Sequence, residues 1–224
     1  LEKGLRKELE KETKKPIKRK NILTDFTGRK IHDKVAVIVE LRDTIHLINI
    51  VAHFLRRLDR SWVIQVFHGI CNETLLKDSV ILKPFIESRE LILTNLKKSK
   101  MSRKEISSLM LNEKFYRDCA CSPNGHILIF KMESYLNDNP QMSINSFLKY
   151  DYVGAPFPSK ISNKHLNRSL LNNQNTLEIG SGNLSIRKKS RMLQICALLN
   201  QRRFKKLVEK SDDLVISSFL LAPI

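Results

Sequence analysis

Three stretches carry residue types able to manage a charged, phosphate-linked ligand. His126 to Ser134 (HILIFKMES) is an apolar run that ends on a lysine, a carboxylate and a hydroxyl: Lys131, Glu133 and Ser134. Phe147 to Phe157 (FLKYDYVGAPF) contains Gly154-Ala155-Pro156, where proline fixes φ and glycine admits unusual backbone angles, the makings of a stiff corner. Gly180 to Leu193 (GSGNLSIRKKSRML) sets a glycine-bearing loop, with Gly180, Gly182 and Asn183, before a short apolar strand that carries Arg187. A strand ending on an acid, a stiff corner and a glycine loop are the parts that hold a diphosphate-linked ligand at a sheet edge. In open α/β sheets, ligands bind outside the carboxyl ends of the strands.

Those residues need a sheet to stand on, and the apolar pattern predicts one. Lys34 to Glu40 (KVAVIVE) is a continuous β-branched run, as expected of a strand buried on both faces. Ile45, Ile48, Val51, Ala52, Leu55 and Leu58 recur at helical spacing, with Arg56, Arg57 and Asp59 on the other side. Trp62 to Gly69 reads as the next strand, so Val35 to Phe67 forms a β-α-β unit with parallel strands. Leu91 to Leu93 is a short third strand. Ser102-Arg-Lys-Glu105 is a capping box that starts a helix with Ile106, Leu109 and Met110 on its inner face. Strands at His126 to Phe130, around Tyr152-Val153 and at Leu184 to Ile186 follow. A helix bearing Met192, Ile195, Cys196 and Leu199 and a last helix over Leu214 to Leu221 complete the series. This alternation predicts an α/β fold with a mainly parallel central sheet flanked by helices. Lys160 to Thr176, rich in Asn, Ser and Lys, reads as a long polar connection.

Composition narrows the partners without choosing one. The 224 residues support one generous domain with a tail: a basic N-terminal segment over 1–31 and an α/β domain over 32–224. Forty basic against 23 acidic residues give a net charge of +17, which favours nucleic acid, anionic membrane or a phosphorylated small molecule. Twelve basic and six acidic residues fall in the first 34, a solvated leader able to bind anions without specificity. Cys71, Cys119, Cys121 and Cys196 show neither CxxC spacing nor a histidine at zinc-finger spacing, which argues against a structural zinc site. Their number admits two disulfides and equally suits reduced thiols. No run reaches the ~18 apolar residues of a membrane span. A cytoplasmic location is the default; the chain begins at Leu1 rather than Met, which leaves room for a removed leader or an upstream segment and, with it, a secretory lumen. The glycosylation sequons at Asn72, Asn167 and Asn183 matter only in the second case. The six histidines read as structural or surface residues, with His68 the one near the expected ligand edge. No Walker loop, serine elbow or complete G-x-G-x-x-G occurs, which argues against a P-loop enzyme, a hydrolase and a classical dehydrogenase.

Taken in order, VAVIVELRDTIHLINIVAHFLRRLDRSWVIQVFHG, HILIFKMES, FLKYDYVGAPF, IGSGNLSIRKKSRML and SDDLVISSFL resemble a family of uncharacterised glycosyltransferase-like domains. That family shows a first strand ending in Glu-x-Arg and a later one ending in Phe-Gln-x-Asp-Ser. Tyr-Asp-Tyr-Ile-Gly-Ala-Pro-Trp, Gly-Asn-Gly-Gly-Phe-Ser-Leu-Arg and a terminal Glu-Asp pair follow. The resemblance spans residues 32 to 221, and YDYVGAP is its most specific element. It implies a GT-A-like, Rossmann-like domain that takes a nucleotide-diphospho-sugar donor. The acceptor would be a hydroxyl of a glycan, protein or small molecule, and the cofactor Mn²⁺ or Mg²⁺.

The same resemblance assigns the site. Glu133 stands for the strand-end Asp, as metal or donor ligand, with Ser134 beside it. Glutamate lengthens that arm by one methylene, and Lys131 replaces the family's Gln. Strand alternation would put Lys131 and Glu133 on one face, where Lys131 either meets the diphosphate or neutralises Glu133. Glu40 and Arg42 match Glu-x-Arg, expected near the nucleotide base or ribose, with an ion pair to neighbouring helices as the structural alternative. Gly180, Gly182 and Asn183 form the donor loop, or a tight turn without ligand contact. Arg187 on the next strand is a candidate phosphate fork. Asp212 and Asp213 match the acidic pair, Asp213 as candidate catalytic base, with helix capping as the alternative. A hard cation stabilises the departing diphosphate as Lewis acid and template, and a placed carboxylate deprotonates the acceptor. The substitutions keep open a GT-A-like domain that binds glycan or nucleotide without turnover. The charge keeps open a basic nucleic-acid-binding protein, although no helix-turn-helix, zinc or aromatic stacking module is recognisable.

Overall fold

The β-branched run lies where its composition demands, in the middle of a six-stranded sheet covered on both faces. The computed structural model describes residues 31–136, 143–156, 180–200 and 216. Strand β1 (His32–Glu40) leads into helix α1 (Ile45–Arg57) and β2 (Val63–His68). Two short helices, α2 (Glu73–Lys77) and α3 (Lys83–Glu87), precede β3 (Leu91–Asn95). Helices α4 (Arg103–Met110) and α5 (Glu113–Asp118) precede β4 (Cys121–Phe130). A 3₁₀ helix (Ile144–Phe147), β5 (Tyr152–Pro156), β6 (Gly180–Lys188) and α6 (Lys189–Leu199) follow. The strand order is β3-β2-β1-β4-β6-β5. β1 is parallel to β2 and β4, β2 is parallel to β3, and β6 runs antiparallel to its neighbours β4 and β5. The α/β architecture expected from the alternation of elements is the observed one.

Alternate residues of the strands feed two cores. Val35, Val37 and Val39 join Phe67, Ile127 and Ile129 beneath Met110, Phe115, Tyr116, Met192 and Ile195 of α4, α5 and α6. On the opposite face Ala36, Ile38, Ile64, Val66, Leu128 and Phe130 pack under Leu47, Val51 and Phe54 of α1. Phe54 stacks on Phe130 with 3.9 Å between ring centroids. Each such burial contributes about 1.5–3 kcal/mol, so packing rather than helix propensity holds α1 in place.

The distribution of the crossovers creates the crevice that matters. The β1–β2 and β2–β3 connections lie on the α1 face, where Leu76 and Leu82 are buried. The β3–β4 connection lies on the other face, with Met110 and Phe115. The chain therefore changes faces between β1 and β4, the switch point at which an open sheet parts at its carboxyl ends.

Local signals held at some places and failed at others. The Ser102 capping box forms: Glu105 N donates to Ser102 Oγ at 3.2 Å, and Ser102 N donates to Glu105 Oε2 at 2.7 Å. Gly154-Ala155-Pro156, expected as a corner, is instead part of edge strand β5, where proline costs no ladder bond. A bulge in β6 separates the pairs Gly154–Ser185 and Ala155–Ser181. Of the expected last helix, Ile216 is described, helical and buried in the first core. Lys160 to Thr176, Asp212 and Asp213 lie outside the described residues, as do residues 1–30 of the leader. All four cysteines are free, Cys71 exposed and the other three buried. Among the described residues no helix is long and apolar enough to cross a membrane.

Gly69 lets the loops after β1, β2 and β3 close on one another. A Cβ there would stand 2.6 Å from Lys98 O and 3.2 Å from Leu41 Cβ, while Ile70 N donates to Lys98 O at 3.0 Å. Gly69→Ala is expected to lower stability by about 1–3 kcal/mol, read as a fall in the urea midpoint. An unchanged midpoint would mean that these loops part freely.

Candidate functional site

The parallel strands end in a polar row. Glu40, His68 and Asn95 close β1, β2 and β3 in register, side by side on the α1 face. Glu40 is buried and grips Arg42. Its Oε1 accepts from Arg42 N and Nε, each at 2.9 Å, and its Oε2 from Nη2 at 2.6 Å. Burial pushes the Glu40 carboxyl up, but the Arg42 hydrogen bonds and charge outweigh it and hold the group below its ordinary range. Arg42 is raised in turn, first by Glu40 and then, against a desolvation cost, by the Glu133 carboxylate. β1 and β4 are adjacent parallel strands, so the loops that follow them leave the same edge of the sheet on either side of the switch point.

The β4 side of this crevice is a turn rather than a continued strand. β4 stops at Phe130, Ser134 N donates to Lys131 O at 2.9 Å, and Lys131 N donates to Ser134 Oγ at 2.8 Å. Met132 is buried and Glu133 exposed. The strand alternation expected to align Lys131 with Glu133 therefore ends before either residue. Ser134 is buried and uses its hydroxyl to hold the turn. The next residues are pinned to α1: Leu136 N donates to His53 Nε2 at 3.2 Å, and Tyr135 stacks on the His53 ring at 4.0 Å. Burial, then Arg57 and Arg56, push His53 down, which keeps the acceptor neutral.

The glycine segment, expected as a loop or tight turn, is instead the first part of strand β6, paired with β5; it arrives at the same edge, but Arg187 does not. Leu184 pairs with Phe130, so the backbone of Gly180, Gly182 and Asn183 lies just before it, beside the carboxyl end of β4. Arg187 pairs with Ile127, which is level with Val35. That is five residues, or about 17 Å, from Glu40. Its guanidinium is fully buried: Nη1 donates to the Tyr116 hydroxyl at 2.9 Å and Nε to Ser185 Oγ at 3.1 Å. The expected phosphate fork is therefore placed in the α4–α6 core. Lys189 is buried close by, with Nζ donating to Cys119 O at 3.0 Å and Cys121 O at 2.6 Å, and burial lowers its pKa. Asp212 and Asp213 lie outside the described residues, so their distance to Glu133 is a matter for proposal.

Sequence reasoning missed Asn72. This residue has no exposed surface; its Oδ1 accepts from Gly69 N at 2.9 Å and its Nδ2 donates to Glu40 O at 2.8 Å. A sequon asparagine buried in this way is not a glycan acceptor in the folded chain. The available signal was its place, three residues past a strand-ending glycine. Glu73 follows, accepting from Asn95 Nδ2 and from Lys77 Nζ, both at 2.5 Å. Among the described residues no group of three or more His, Cys, Asp or Glu gathers to hold a metal ion. Glu40 is engaged by Arg42, which leaves Glu133 as the carboxylate on the β4 side.

A model of the family described as "Protein of unknown function (DUF5672)" matches residues 91–221, more than half of the chain. The chain belongs to this family. The match takes in β3, β4, the Lys131–Ser134 turn, β5 and β6, and so the β4 side of the crevice. No curated protein matches the chain in sequence. Among solved structures the chain is similar to the apo-form glycosyltransferase GlyE of Streptococcus pneumoniae TIGR4, at 10% identity and a TM-score of 0.47. That similarity covers 84% of this chain and 43% of the other, so the DUF5672 chain spans less than half of that structure's length.

Two outcomes follow from this geometry. The depressed Glu40 carboxyl contributes stability that is complete above the unfolded-state pKa and is lost as pH falls through the folded one. Glu40→Gln should therefore cost about 1–2 kcal/mol near neutrality, and the gap to wild type should close in acid, read by urea unfolding from pH 7 to pH 3. A gap that persists at low pH would count against the ion pair. Tyr116→Phe should cost about 1–3 kcal/mol by stripping a partner from buried Arg187 and leave nucleotide binding unchanged; weakened binding would show that Arg187 does reach the ligand.

Proposed function

We propose that this DUF5672 chain is a nucleotide-sugar-dependent glycosyltransferase of the GT-A type that works at the β1–β4 crevice. The observation that carries the reading is the place of Arg42, gripped by Glu40 at the end of β1, on the loop beside the turn after β4 that bears Glu133, at the switch point of the sheet. The ordered sequence resemblance from the first strand to the last acidic pair supports it. In this reading Arg42 presents its outer edge to a donor phosphate or ribose. Lys131 adds positive charge, and the backbone of Gly180, Gly182 and Asn183 closes on the sugar or diphosphate. Glu133, with the phosphates of the donor, holds Mn²⁺ or Mg²⁺, which supplies Lewis-acid stabilisation of the leaving diphosphate. Asp213, or its neighbour Asp212, takes the proton of the acceptor hydroxyl.

A thermal-shift screen of nucleoside diphosphates with and without Mn²⁺, followed by donor hydrolysis over common nucleotide sugars, tests this. A ligand present at a hundred times its Kd should add about 2.7 kcal/mol of apparent stability. Glu133→Ala should remove the Mn²⁺-dependent part of the shift. Asp213→Ala should remove turnover and keep binding. Binding by wild type without turnover of any donor would favour a non-catalytic relative. Tight nucleic-acid binding with no nucleotide response would sink both readings.

A further inference from the structure

The geometry points to Asn72 as a positioning residue that presents Arg42 to an anionic ligand, a role that rests on the crevice reading above. Arg42 stands on a surface loop, where a long side chain ordinarily samples many rotamers. Here it is held at both ends. Glu40 takes Nε and Nη2 as a fork, at 2.9 and 2.6 Å. The main chain of the same loop is fixed from the loop after β2: Asn72 Nδ2 donates to Glu40 O at 2.8 Å and to Arg42 O at 3.3 Å. Asn72 is itself oriented by Gly69 N, which donates to Oδ1 at 2.9 Å. An N–H on one side and two carbonyls on the other fix which amide end is oxygen. No hydroxyl or carboxylate side chain serves all three partners at once.

What this clamp leaves outward is the other edge of the guanidinium. The Arg42 side chain is 72% exposed, and its fork to Glu40 engages Nε and Nη2. An arginine fixed on its inner edge and open on its outer one recognises phosphate with its ordering cost already met. Removing Asn72 frees the loop carbonyls and lets the fork tilt, so the loss in affinity passes through Arg42.

The test is a double-mutant cycle on the full chain, with inorganic pyrophosphate and Mg²⁺ as the probe, by calorimetric titration, with urea unfolding of every variant. Arg42→Ala should weaken binding about tenfold or more, and Asn72→Ala about three- to tenfold. The double variant should bind no more weakly than Arg42→Ala, while the stability loss from Asn72→Ala appears in both backgrounds. Affinity losses that multiply, or Asn72→Ala binding like wild type, overturn the inference and leave the crevice reading standing. Should Arg42→Ala bind like wild type, or wild type not bind the probe, both fall together. If Asn72→Ala does not fold, Asn72→Asp takes its place in the cycle, because it keeps an oxygen for Gly69 N and loses the donor; the same outcomes decide.

Discussion

A sheet that is dry on both faces must find partners for its backbone where its strands stop. At the carboxyl edge each stop is met by a side chain. Asn72 bonds the carbonyls of Glu40 and Arg42 after β1 and the amide of Gly69 after β2. Asn95 Oδ1 accepts from Lys97 N at 2.6 Å after β3, and Ser134 Oγ accepts from Lys131 N after β4. An unpaired buried polar group costs about 1–3 kcal/mol, so the buried Asn72 and Ser134 are required by the fold before any ligand arrives. The same bonds fix the loops that bear Arg42 and Glu133, and stability and site geometry therefore share their atoms.

The charge of the chain is less superficial than its sum implies. Two of its cations, Arg187 and Lys189, are buried beside the first core, served by a tyrosine hydroxyl, a serine hydroxyl and backbone carbonyls. At the crevice Arg42 is already paired with Glu40, and Glu133 adds a second carboxylate. A diphosphate arriving there meets near balance rather than a basic patch. Extra positive charge has to come from Lys131 or travel with the ligand, which is why the proposed donor complex brings a divalent ion.

Much of the architecture was legible along the chain because it is local. KVAVIVE, the helical stripe from Ile45 to Leu58 and the Ser102 box each encode their element through a period or a cap, and each formed. The site was legible in part. Glu40 and Arg42 at the end of β1 and Glu133 after β4 were singled out and stand on the ends of adjacent strands, whereas the Lys131–Glu133 alignment failed because a turn replaced the strand after Phe130. Gly154-Ala155-Pro156 looked like a corner because glycine and proline advertise turns, yet an edge strand accepts both.

From sequence alone came the order of strands and helices and the double burial of β1, since side-chain periodicity is a property of neighbours along the chain. Only the folded arrangement decided who meets whom at the strand ends. Asn72 reaches a carbonyl 30 residues away, and Arg187 turns into the core to find Tyr116, 71 residues away, rather than out to an edge. Strand register and the choice of crossover face set those meetings, and neither is written in any short run of residues.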